Sequence, residues 1–191
     1  MSSALAGAPA RVEVDLAKAY RLLNHGPTVL VSAQHGGVRN VMAAAWNMPL
    51  DFTPPKVAVV IDRNTFTRGL IEAAGRFTLS VPCRAQAALV TAIGDCSGRD
   101  VDKAATLAGL AYDGGDVPTV QGCVAWLDCK VLREPHIEQT YDLFLAEVTA
   151  ASADPRVWHS GHWVFDGFDE LRTLHHVAGG NYFVPGLMAQ G

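Results

Sequence analysis

The sequence contains no G-x-G-x-x-G following a strand-like run and no G-x-x-x-x-G-K-[ST], so it lacks both the dinucleotide fingerprint and the phosphate loop. It has no G-x-S-x-G, which removes the usual hydrolase elbow. The four cysteines, Cys83, Cys96, Cys123 and Cys129, form no C-x-x-C and no zinc-ribbon spacing, and they are expected to be reduced, buried small hydrophobes. The histidine pairs His159/His162 and His175/His176 have no acidic or cysteine partner at ligand spacing, so no metal site is expected. No dense Lys/Arg cluster appears, and the formal net charge is -4, which argues against nucleic acid and anionic membranes as partners. The apolar run "VAVVI" (57–61) is only strand-sized, far short of a membrane span. The N-terminal "MSSALAGAPARVEVD" has no basic region followed by a long apolar stretch, so a cytoplasmic location is expected.

What is present is 191 residues, 49% of them hydrophobic, enough for a substantial core. No repeat, low-complexity tract or linker divides them, so a single domain over 1–191 is expected, with 1–14 a loose leader. "DLAKAYRLLN" places Leu16, Tyr20 and Leu23 on one face of a helix. "TVLVSAQ" and "VRNVMAAAW", separated by His35-Gly36-Gly37, read as a hairpin. "TPPKVAVVID" is a Pro-bounded strand; "TFTRGLIEAAGR" is a helix with Thr65 as N-cap; "FTLSVP" is another strand. "RAQAALVTAIG" is a short helix that Gly94 ends, and Ser97 with Asp100 has the form of a capping box. "CVAWLDCKV" alternates, with Cys123, Ala125, Leu127, Cys129 and Val131 on one face. "EQTYDLFLAEVTAASA" reads as a further long strand, and "HWVFDGF" as a short one. Hairpin pairs outnumber strand–helix–strand units, so the fold class is mainly β with short helices, an antiparallel barrel with helical decoration.

The stretch Asn40–Trp46 combines a polar amide with three consecutive alanines before an indole. Small side chains let a flat ligand approach the backbone, whose N–H and C=O groups then read its polar edge, with Asn40 adding a donor and an acceptor. Downstream, Arg63, Thr65 and Thr67 fall between a strand and a helix, where unpaired N–H groups and a guanidinium suit a phosphate. The same residues equally fit a crowded strand followed by an ordinary helix cap.

"NVMAAAW", then "FTPPKVAVVIDRNTFTRGLIEAAGRFTLSVP", then "SGRDVDK", in this order, resemble the flavin reductase-like family, closest to its flavoredoxin branch. The resemblance covers roughly Tyr20 to Tyr182. It implies an FMN-binding split β-barrel, Greek-key-like and antiparallel, and a homodimer with noncovalent FMN. It implies that Asn40, Met42, Ala43, Ala44, Ala45 and Trp46 line the isoalloxazine ring, and that Asp62, Arg63, Phe66 and Thr67 hold the ribityl and phosphate groups. Ser97, Gly98 and Lys103 would come near the ring or phosphate, with Lys103 a charged contact, and Tyr182 would bring an aromatic ring toward the flavin. The implied activity is that of an NAD(P)H:FMN oxidoreductase, fed by NADH or NADPH and passing electrons to a monooxygenase or another acceptor protein. The alternative is a flavoredoxin-like electron carrier with no nicotinamide site. Two departures bear on this choice: Tyr141-Asp142 stands where relatives carry a His, and Ala44 where many carry Thr or Ser. No catalytic residue is nominated, because hydride transfer to a flavin needs no protein acid or base.

Overall fold

The computed structural model describes residues 10–115 and 117–189. In chain order its strands begin with β1 (Val12–Glu13), β2 (Val29–His35), β3 (Val38–Ala44), β4 (Asn47–Phe52), β5 (Pro55–Val60) and β6 (Arg76–Val81). The short ribbon β7 (Tyr112–Asp113) and β8 (Thr119–Val120) precedes β9 (Ala125–Leu132) and β10 (Leu143–Ala153). Two more ribbons follow, β11 (Trp158–His159) with β12 (His162–Trp163), and β13 (His175–Ala178) with β14 (Asn181–Phe183). The main sheet runs β3-β2-β6-β9-β10-β5-β4, with β1 added on β10. Its pairings are antiparallel throughout, as the hairpin-rich sequence leads one to expect.

The β2–β3 hairpin turns at Gly36 and Gly37, both with positive φ (58° and 78°), a conformation costly for residues bearing a Cβ. Alternation along β9 sorts its side chains between two cores. Ala125, Leu127, Cys129 and Val131 join the main core with Phe77 and Phe144. Trp126 joins a second cluster with Leu30, Val41, Val90 and Ile93. That second cluster seats helix α2 (Ala87–Asp95) against β3, while helix α1 (Phe66–Ala74) packs on β2 and β3. Strand β3 therefore has a helix on each side, and this arrangement forms the site.

Several local expectations give way. Leu16–Leu22 is a 3₁₀ helix: Ala19, Leu22 and the expected Leu23 are buried, Tyr20 is half-buried and Leu16 is exposed. The run expected as one long strand from Glu138 opens instead as helix α4 (Pro135–Tyr141), with Pro135 in its first turn. Asp142, at positive φ (55°), ends that helix before β10 begins. Ser97 opens a turn, its carbonyl accepting from Asp100 and Val101. The helix itself is α3 (Lys103–Thr106), capped by the Asp102 carboxylate. Gly94 lies within α2, one residue short of its end. Of the expected leader, residues 1–9 lie outside the described residues. The rest departs from a loose segment: β1 pairs with β10, and Val14 is buried. Among the described residues, no helix is long and apolar enough to cross a membrane.

Candidate flavin site

Asn40 is buried in β3, and its amide donates to the Thr67 hydroxyl at 2.9 Å. This bond joins β3 to the first turn of α1. Because the Thr67 oxygen accepts from Asn40, its own proton is free to be donated elsewhere. At the head of α1, Thr65 occupies the N-cap position but makes no side-chain cap. Its hydroxyl turns back to the Asp62 carbonyl (2.8 Å), while Asp62 Oδ1 accepts from the Asn64 N–H (2.7 Å). The first N–H groups of α1 thus have no side-chain cap, and the dipole there favours an anion.

The turn after α2 closes the site from the other side. A Cβ placed on Gly98 would lie 2.6 Å from Asn40 Cγ and 2.7 Å from Phe66 Cδ1. Only glycine lets this turn lie against both side chains. Asn40, Met42, Ala43, Phe66, Thr67, Ser97, Gly98 and Lys103 together border a cavity of about 390 Å³. An adjoining cavity of about 350 Å³ is bordered by Ala43, Ala44, Ala45 and Tyr182. The two share Ala43, Gly94 and Asp95, so they form one continuous cleft along the alanine run. Tyr182 is fixed there by a 3.1 Å hydrogen bond between its hydroxyl and that of Thr91.

Three of the expected residues, Trp46, Asp62 and Arg63, border neither of these two cavities. Trp46 is 75% exposed and borders neither cavity. Asp62 shapes the turn before α1 from outside the cleft. Arg63 donates to the Gln139 carbonyl at 2.9 Å and lies 3.4 Å from Asp142; with Thr65, Phe66 and Arg99 it borders a separate cavity of about 550 Å³ at the head of α1. Lys103 borders the cleft, but its ammonium is buried and donates to the carbonyls of Val41 (2.9 Å) and Ile93 (2.7 Å). Burial lowers its pKa, and two of its three protons are already used in tying β3 to α2. Lys103→Met should therefore act mainly on stability, costing about 1–3 kcal/mol by stranding two buried carbonyls. Urea denaturation is expected to show that loss, with flavin affinity changed less than about tenfold.

The cation that sequence reasoning passed over is Arg99. It donates to the Asn64 carbonyl and sits 6.0 Å from the Phe66 ring, beside the open end of α1. Its position inside "SGRDVDK" was the available signal. The cysteines carry no reactive thiolate at the core: burial pushes Cys83 up to about 11 and Cys123 well above its ordinary value. Among the described residues, no cluster of His, Cys, Asp and Glu could hold a metal.

An antiparallel sheet with a helix on each side of one strand, and a cleft floored by alanines beside an open helix N-terminus, form the split-barrel fold of flavin reductase-like proteins. The family model for the flavin reductase like domain matches residues 20–169, and the chain belongs to that family. A solved structure of an FMN-binding domain of a flavin reductases-like enzyme from Shewanella baltica is 46% identical, covering 97% of this chain and 99% of that one, with a TM-score of 0.93. The flavoredoxin of Desulfovibrio vulgaris (Miyazaki F) is 25% identical, covering 87% and 90% of the two chains, with a TM-score of 0.75. Among curated proteins, the uncharacterized protein YddH of Escherichia coli K12 is 42% identical over 188 residues, 92% of this chain and 95% of that protein.

The residues present fit FMN. The uncapped α1 N-terminus with Thr67 and Arg99 suits a phosphate, and the small side chains of Ala43–Ala45 leave room for a flat ring.

Proposed function

We propose that the chain is an FMN-binding oxidoreductase, with the phosphate held at the α1 N-terminus and the ring lying along Ala43–Ala45. The observation that carries this reading is the convergence of Asn40, Thr67 and Gly98 on one cavity that continues along the alanine run. When bound, FMN would supply hydride acceptance and onward electron transfer. The chain's own part is to bind and orient it: Asn40 and Thr67 fix the wall, Gly98 keeps the turn close, and Tyr182 borders the far end.

The preferred activity is reduction of bound FMN by NADH or NADPH, with electrons passed to a monooxygenase or another acceptor. The second reading is a flavoredoxin-like carrier with no nicotinamide site. Asp142 favours it: where relatives carry a His, this chain's carboxylate is committed to Arg68 at 2.6 Å. An anaerobic absorbance spectrum of the FMN-loaded protein separates the two. Bleaching on addition of NADH or NADPH supports the reductase and names its donor. A flavin band that persists until dithionite is added supports the carrier.

We also propose a homodimer. Trp46, Met48, Leu50 and Phe52, in and beside edge strand β4, are 75%, 53%, 45% and 61% exposed, an apolar set suited to burial against a second copy. Light scattering is expected to give twice the chain mass, and Leu50→Asp to shift the protein toward monomer. A monomeric wild type would remove the interface.

A further inference from the structure

A larger cavity, about 870 Å³, shares no bordering residue with the flavin cleft. Its size falls within the roughly 300–1,000 Å³ of small-molecule sites. One wall is aromatic and fixed in place. Trp163 stacks on Phe165 (centroids 5.4 Å apart, planes at 12°) and takes the edge of Trp158 at 5.0 Å. The Trp163 indole N–H donates to the Arg21 carbonyl at 3.1 Å, which locks the ring to the 3₁₀ helix.

Two arginines border this cavity, and they differ. Arg172 is committed: it bonds Asp169 at 2.9 Å and the carbonyls of Pro185 (3.1 Å) and Gly186 (3.0 Å). Arg21 meets no acid among the described residues: it donates to the Gly161 carbonyl (3.2 Å) and the Tyr20 hydroxyl (3.1 Å) and lies 3.4 Å from the His162 ring. Among the described residues no carboxylate pairs with Arg21. The lining also holds one acid, Asp166. A guanidinium without a counter-ion beside a rigid aromatic wall selects for a planar group that carries negative charge.

We propose that this cavity is a second binding site, for a planar aromatic carboxylate whose ring packs on the Trp163–Phe165 wall and whose carboxylate pairs with Arg21. The site is independent of whether the cleft holds flavin.

Isothermal titration of the full-length protein with 4-hydroxybenzoate, against its neutral counterpart 4-hydroxybenzamide, tests this with and without FMN. Saturable binding of the acid is expected, with the amide weaker by about tenfold or more. Arg21→Gln is expected to erase the preference for the acid, and FMN to leave the affinity unchanged. Equal affinity for acid and amide overturns the proposal, as does no saturable binding, and these wild-type comparisons stand even if the variant does not fold. Displacement of the probe by FMN also overturns it, by placing the probe in the flavin cleft.

Discussion

Gly98→Ala is expected to weaken FMN binding by about tenfold or more, a large effect for one added methyl group. The new Cβ would fall 2.6 Å from Asn40 Cγ and 2.7 Å from Phe66 Cδ1, well inside contact distance. Neither neighbour yields freely. Asn40 is buried and bonded to Thr67, and Phe66 is the first residue of α1. Moving Asn40 breaks the link between β3 and α1; moving Phe66 tilts the helix end proposed to face the phosphate. Moving the turn instead opens the cleft. Overpacking of this kind costs about 1–3 kcal/mol in a fixed core. Flavin fluorescence titration and urea denaturation together read both consequences. Unchanged affinity with unchanged stability would show that the turn accommodates a side chain and does not close the site.

Arg68→Ala is expected to cost about 1–3 kcal/mol of stability, chiefly by stranding buried carbonyls. Arg68 is buried in α1 and gathers four acceptors from three segments. It donates to the Ile61 carbonyl at the end of β5 (3.1 Å) and to the Glu138 carbonyl in α4 (2.7 Å). It also pairs with Glu72 at 2.8 Å and with Asp142 at 2.6 Å. Truncation strands buried carbonyls and leaves Asp142 with only its longer contact to Arg63. Because this network anchors α1, flavin retention should fall along with stability. Arg68→Lys, which keeps the charge but not the fork, is expected to recover only part of the loss. A denaturation midpoint unchanged by Arg68→Ala would contradict the network's role.

Arg68 also shows what the sequence could not reveal. In "TFTRGLIEAAGR" it reads as one more polar helix position, since its partners at 138 and 142 lie far along the chain. Arg63 is the converse case. Its place before α1 was legible, but its bond to the Gln139 carbonyl and its contact with Asp142 come from a segment far along the chain. The signals that did carry through are local. The Gly36-Gly37 turn fixes the β2–β3 hairpin, and alternation along β9 assigns its faces. In Leu16–Leu22 the 3₁₀ repeat buries Ala19 and Leu22 beside the expected Leu23, a pairing that no α-helical pattern reports. The strand expected through Thr140 and Tyr141 failed because Pro135 starts a helix upstream and Asp142 stops it. Asn40, Phe66, Thr67 and Gly98, named by the family resemblance, border one cavity, while the commitment of Lys103 to two carbonyls needed the tertiary contact of β3 with α2.

The cleft beside β3 is proposed to hold FMN, and a titration of FMN fluorescence with increasing protein tests this most directly. Saturable quenching with an endpoint of one FMN per chain is the expected result. Fluorescence that stays at its free-solution value at every protein concentration would contradict the account and reduce the alanine run to packing.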